Sequence, residues 1–114
     1  LRHGFVAGAV CPSEVIHFLD AIGIPIYEGY GLTETSPIIT INTPTHRCPG
    51  SVGKSIKGVN VLIMGEDGSP ARPGVEGEIC CYGPNVMRGY YNNPAATEEV
   101  ISLAPDGKSR LFHT

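Results

Sequence analysis

The sequence predicts an α/β unit followed by a mostly antiparallel β unit, and three observations carry this. Strand-like, helix-like and strand-like runs follow one another over residues 5–27, an order that makes a parallel βαβ crossover. Two apolar runs between residues 59 and 82 enclose the turn pairs Asp67-Gly68 and Pro73-Gly74, as in a long-looped hairpin. Fifteen glycines and ten prolines in 114 residues keep the elements short. The composition shifts near Gly50, so the predicted units are 1–50 and 51–114.

Phe5-Val6-Ala7-Gly8-Ala9-Val10 reads as a short buried strand entering a loop of small residues, where backbone can approach a ligand closely. Pro12-Ser13-Glu14 opens a helix, with proline in the first turn and a carboxylate near the positive end of the dipole. Val15, Ile16, Leu19 and Ile22 give it one apolar face, which leaves His17 and Asp20 on the solvated side. Gly23 stops it as a C′ residue. Ile24-Pro25-Ile26-Tyr27 is the second strand, with Pro25 confined to its start or an unpaired side. Ile38-Ile39-Thr40-Ile41 is apolar but brief, and Asn42 to Gly50 is loop. Val59 to Met64 and Gly77 to Tyr82 are the hairpin strands, and Val86 to Tyr91 reads as a third. Asn93-Pro94 caps a helix through Val100, and Asp106-Gly107 is a turn.

Hydrophobic residues at 41% and charged residues at 17% are globular proportions. A net charge of −3 gives no basic footprint, so nucleic acid is not an expected partner. No apolar run nears the roughly 20 residues of a membrane span. Cys11, Cys48, Cys80 and Cys81 form no CxxC pair, and His3, His17, His46 and His113 are scattered, so the spacing predicts no zinc site. The thiols read as reduced, in a cytosol-like compartment, with Cys80 and Cys81 on opposite faces of a strand. The chain opens on Leu1 without a signal pattern and stops just after an apolar pair, which predicts an internal piece of a longer protein.

The stretch with most chemistry is Glu28-Gly29-Tyr30-Gly31-Leu32-Thr33-Glu34-Thr35-Ser36-Pro37. It reads as one short turn leaving a buried strand, where open α/β sheets bind ligands. Thr33 offers a hydroxyl to a phosphate, Glu34 a hard oxygen to magnesium, and Tyr30 a flat face to adenine. Gly29 and Gly31 let backbone come close. The plain alternative is a solvated turn in which Thr33 and Ser36 bond their own backbone.

Tyr30-Gly31-Leu32-Thr33-Glu34-Thr35-Ser36-Pro37 resembles the signature of the adenylate-forming acyl-CoA synthetases. Matches to the same family follow in order. They are Gly50-Ser51-Val52-Gly53-Lys54, then Gly77-Glu78-Ile79 with Gly83-Pro84-Asn85-Val86-Met87-Arg88-Gly89-Tyr90-Tyr91, then Asn93-Pro94-Ala95-Ala96-Thr97. Upstream, Gly8-Ala9-Val10-Cys11-Pro12 is similar to the loop lining the family's adenine site. The resemblance implies the βαβ end of a large N-terminal adenylation domain, followed by a mostly antiparallel β subdomain. It implies ATP and coenzyme A as co-substrates, Mg2+, and a carboxylic acid activated as its acyl-adenylate. Thr33 and Glu34 become the catalytic pair, with Glu34 on the metal and Thr33 on the adenylate phosphate. Tyr30 stacks on adenine, Glu28, Gly29 and Gly31 line the pocket, and Gly8 with Ala9 backs the adenine. The glycines, prolines and Tyr90 of residues 77–91 read rather as scaffold.

Two positions depart from the family pattern: Lys57-Gly58 stands where many relatives carry Pro-Gly, and Glu28 where glutamine is frequent. The family's upstream phosphate loop, the aspartate that grips the ribose and the C-terminal lysine lie outside these residues, so the piece is not expected to be active alone. The branch it resembles most is the long- and medium-chain fatty acyl-CoA synthetases. An adenylation domain of a peptide synthetase or an aryl-acid ligase is the second reading, although the former often carries proline where Leu32 stands. A non-catalytic binding module keeping the fold is the third. Acyl chain length, compartment and peripheral membrane contact of the longer protein are left open.

Overall fold

The βαβ order is realised at the start of the computed structural model, which describes residues 1–114. Strand β1 (Gly4–Val6) pairs in parallel with β2 (Ile26–Tyr30), Phe5 facing Tyr27. Helix α1 (Ser13–Ala21) connects them. Pro25 precedes β2, and its carbonyl accepts the Gly4 N–H at 3.0 Å, so the missing donor costs the ladder nothing. Gly23 ends α1 at φ +80°. Its N–H donates to the Asp20 carbonyl and that of Ile24 to the Leu19 carbonyl, both at 2.9 Å, a Schellman closure that only a residue at ease with positive φ completes cheaply.

Helix α1 departs from its expected packing. Of the face Val15, Ile16, Leu19 and Ile22, only Ile16 is buried, while Val15 is 42% and Ile22 55% exposed. Asp20 is not solvated as expected: Arg47 holds its two oxygens at 2.8 and 2.9 Å. The same guanidinium donates from Nε to the Ile26 carbonyl at 2.8 Å and lies 5.8 Å from the Tyr27 ring centroid. Helix α1 is thereby tied to β2 and to the loop that follows β3 (Thr40–Ile41).

Strand β2 runs further than the sequence suggested. Glu28, Gly29 and Tyr30 continue it, because Gly29 pairs with Ile41 and Tyr30 with Thr40 of antiparallel β3. The turn proper is a single 3-10 turn, Thr33–Thr35. Strand β4 (Lys54–Ser55) pairs with β3 and completes a sheet ordered β1-β2-β3-β4.

The second sheet is antiparallel throughout, in the order β5-β6-β8-β7. The expected hairpin is β5 (Asn60–Met64) with β6 (Glu78–Tyr82), Asn60 opposite Tyr82 and Met64 opposite Glu78. Helix α2 (Pro94–Val100) is capped by Asn93, whose Oδ1 accepts the Ala96 N–H at 3.1 Å. Strands β7 (Ile101–Leu103) and β8 (Arg110–His113) form a hairpin around the Asp106-Gly107 turn. That second hairpin was not anticipated.

Val86 to Tyr91 is not the third strand it resembled. Its N–H groups go elsewhere: Val86 to the Gly83 carbonyl, Met87 to the Glu34 carbonyl, and Tyr90 to the Thr97 hydroxyl. Cys81 faces one core with Ile39, Val59, Val86 and Phe112, against which Tyr30 and Leu32 pack. Cys80 faces a second, with Ala104 and Leu111, so the two thiols take opposite faces as a strand requires. All four cysteines are free. Burial pushes the Cys80 thiol up to about 12, aided by neighbouring Glu78, and that of Cys81 up to about 11. No helix is long and apolar enough to cross a membrane.

Candidate functional site

The parallel pairing of β1 and β2 places the loop after β1 beside the end of β2, and a cleft of about 390 Å³ opens between them. Gly8, Ala9, Glu28, Gly29, Tyr30 and Gly31, all singled out from sequence, line it. Thr33 and Glu34 are not in its wall; they sit on the 3-10 turn just past β2. Gly8 has φ +83°, and a Cβ there meets nothing within 4 Å, so it leaves open space at this wall. Gly31 serves the chain itself. A Cβ on it lands 1.9 Å from the Pro37 carbonyl oxygen, so its bare backbone is what lets the strand end and the returning segment touch.

Other residues fix this geometry. The Glu28 carboxylate accepts the Gly50 N–H at 2.7 Å, and its carbonyl accepts the Asn42 N–H at 2.8 Å. Asn42, 1% exposed, also donates from Nδ2 to the carbonyls of Glu28 and Ser51, and accepts the Cys48 N–H at 2.9 Å. The loop after β3 is thereby drawn to the cleft, where Gly50 and Val52 join the lining. The self-bonding expected of Thr33 and Ser36 is made by Thr35: its hydroxyl donates to the Leu32 carbonyl at 2.9 Å and accepts the Leu32 N–H at 3.0 Å. Thr33 is left exposed. Asn85 steadies the turn by donating to the Thr35 and Ile38 carbonyls at 3.1 and 3.2 Å.

Glu34 is half-buried, and its Oε1 accepts the Tyr90 hydroxyl at 2.8 Å. That carboxylate raises the Tyr90 pKa, chiefly because ionising the phenol gives up this hydrogen bond, and also because it sets two negative charges together. Tyr90, read from sequence as scaffold, is therefore in direct contact with the proposed metal ligand. Asn42, Gly50 and Asn85 were missed as well, because their contacts reach across 6 to 50 residues where no motif spacing reports them.

The profile of the AMP-binding enzyme family matches residues 1–91. The chain belongs to that family. It is 42% identical over 101 residues to a probable acyl-activating enzyme 16, chloroplastic, of Arabidopsis thaliana, covering 88% of this chain and 14% of that one. It is 39% identical over 102 residues to a chloroplastic long-chain-fatty-acid–[acyl-carrier-protein] ligase of the same plant, covering 89% of this chain and 14% of that one. The fold matches a long-chain-fatty-acid–CoA ligase from Archaeoglobus fulgidus with a TM-score of 0.85, over all of this chain and 25% of that one, at 22% identity. The chain thus spans about a seventh of the length of these two curated relatives. Membership places it in the adenylate-forming superfamily, and its mixed α/β fold with two sheets matches part of the fold of such ligases.

The residues present suit a nucleotide and a magnesium ion. Magnesium binds through one or two carboxylates plus phosphate and water oxygens, and Glu34 offers a carboxylate on the 3-10 turn just past β2. An adenine needs an aromatic or apolar wall, and Tyr30 with Gly8 and Ala9 provides one.

Proposed function

We propose that the protein carrying this chain activates a fatty acid. The acid's carboxylate attacks the α-phosphorus of ATP, pyrophosphate leaves, and the thiol of coenzyme A then displaces AMP to give the thioester. The supporting observation is the cleft between the loop after β1 and the end of β2, lined by Gly8, Ala9 and Glu28 to Gly31 in an AMP-binding family chain. The fatty-acid branch is favoured by Gly31-Leu32-Thr33-Glu34-Thr35-Ser36-Pro37 together with Gly83-Pro84-Asn85-Val86-Met87-Arg88-Gly89-Tyr90-Tyr91.

In this reading Tyr30 stacks on the adenine, and Gly8 and Ala9 back it. The exposed Thr33 hydroxyl donates to the phosphate oxygen on which charge builds during in-line attack. Glu34 would hold Mg2+, which supplies charge neutralisation at the phosphates. Tyr90, through its hydrogen bond, fixes the Glu34 carboxylate before substrate arrives, so little reorganisation is left for the reaction. Glu28 spends its carboxylate on Gly50, which keeps that charge directed at a backbone N–H in the cleft wall. Residues 1–50 would form the end of the nucleotide-binding unit and residues 51–114 the β-rich unit of one adenylation domain.

Pyrophosphate exchange in the full-length protein tests the assignment. Glu34→Ala should lower fatty-acid-dependent exchange by about 10²- to 10³-fold, the scale for losing a group aimed at developing charge. Near-normal exchange contradicts the metal role. Exchange that requires an aryl acid or an amino acid instead moves the protein to another branch of the family.

A further inference from the structure

The outer face of the second sheet carries a cluster that the adenylate cleft does not use. Glu78 on β6, His113 on β8 and Ser102 on β7 come together beside the fully buried Cys80. The Glu78 Oε2 lies 2.9 Å from His113 Nδ1, the Cys80 Sγ 3.4 Å from the same nitrogen, and the Cys80 Sγ 3.6 Å from Glu78 Oε2. Thirty-three residues separate Cys80 from His113, and the register that sets Cys80 opposite His113 is what joins them. No sequence spacing reveals this.

We propose that Glu78, Cys80 and His113 form a zinc site, with water in the fourth position. Bond lengths of about 2.3 Å to sulfur and 2.0–2.2 Å to nitrogen and oxygen, at tetrahedral angles, set such donor atoms roughly 3.4–3.6 Å apart. Both sulfur distances already match. The Glu78–His113 edge has to open by about 0.5 Å, and Glu78, its side chain 44% exposed, is free to make that move. A thiolate and a carboxylate balance the ion's double charge around a neutral imidazole. Binding displaces the Cys80 thiol proton to solvent.

The second layer is in place as well. His113 Nε2 lies 2.8 Å from the Ser102 hydroxyl, which is placed to accept Nε2–H once the metal replaces the proton that Nδ1 shares with Glu78 Oε2 and takes the Nδ1 lone pair. A soft sulfur donor favours zinc over magnesium or calcium. Glu78, Ser102 and His113 are reached from a cleft of about 420 Å³ that also includes Met64, Leu103 and Leu111, and the buried Cys80 Sγ lies within 3.6 Å of the Glu78 and His113 donor atoms. The opposite face of the sheet, through Cys81 and Phe112, packs on Tyr30 and Leu32. A metal on the outer face therefore clamps β6 to β8, the sheet that supports the end of the adenylate cleft.

The test uses the full-length protein, stripped with a chelator and titrated with Zn2+ alone against a chromophoric competitor, and with Co2+ alone as spectroscopic probe. One ion per chain is expected, with a thiolate-to-cobalt charge-transfer band. Cys80→Ala should remove the band, and Ser102→Ala should weaken zinc by about 10-fold. Because Cys80 is buried and its variant is at risk of misfolding, Glu78→Gln, at a half-exposed position, provides the second arm and should also weaken zinc. Cobalt bound without a thiolate band, or zinc held equally well by Glu78→Gln and the parent, overturns the site.

Discussion

The Tyr90 hydroxyl and the Glu34 carboxylate, 2.8 Å apart and 56 residues apart in the chain, tie the turn after β2 to the segment before α2 at the proposed metal position. The phenol's ordinary pKa is 10.0 and the carboxylate raises it. A folded-state value above the unfolded one means that this bond's stabilisation is full below about pH 10 and is lost as pH rises through the raised folded value. Tyr90→Phe should flatten that alkaline loss of stability in a pH series of thermal unfolding. It should also raise the magnesium concentration needed for half-maximal exchange. An unchanged alkaline limb and an unchanged magnesium requirement would remove the positioning role. At this scale the sequence was legible for residue type and less so for purpose. Tyr30, Gly8 and Gly31 all line the cleft, and Gly31 also makes room for the Pro37 carbonyl. A glycine in a sequence reports that something comes close, and the fold decides what.

Among the elements, the clamp that Arg47 makes between α1 and β2 is the least visible from sequence, since 27 residues separate it from Asp20. Helix α1 buries little beyond Ile16, so this bidentate, charge-assisted pair carries an unusual share of its attachment. Arg47→Ala should cost about 1–3 kcal/mol, the scale for hydrogen bonds to charged groups, and should speed amide exchange in α1 more than in β5 or β6. Equal exchange in both regions contradicts the clamp. Elements whose signals are local were legible: Pro12 and Gly23 bound α1, Asn93 caps α2, and Asp67-Gly68 turns the first hairpin. The strand expected at Val86 to Tyr91 failed because its backbone donors are taken by the Glu34 turn and Thr97, partners that pattern alone does not contain. The β7–β8 hairpin escaped notice for a related reason. Its strands are three and four residues long, too short for an alternation to register.

At the scale of the whole molecule the chain is more extended than its length implies. Its radius of gyration is 15.9 Å, against about 13 Å for a compact domain of this size, and 13 of 114 residues are buried. Two small cores replace one large one, and α1 leaves Val15, Phe18 and Ile22 bare. What the fold does secure is the cleft. Its walls come from the loop after β1, the end of β2 and the loop after β3, segments held by the parallel β1–β2 pairing and by Asn42 and Glu28. The central claim is that this cleft receives an adenylate with Tyr30 against the base. Calorimetric titration of the full-length protein with a stable fatty acyl-adenylate mimic, its phosphate replaced by a sulfamate, addresses it directly. Base–aromatic stacking contributes about 1–3 kcal/mol, so Tyr30→Ala should weaken binding by about 5- to 150-fold while Tyr30→Phe stays near the parent. Equal affinity in the parent and in Tyr30→Ala would contradict the account.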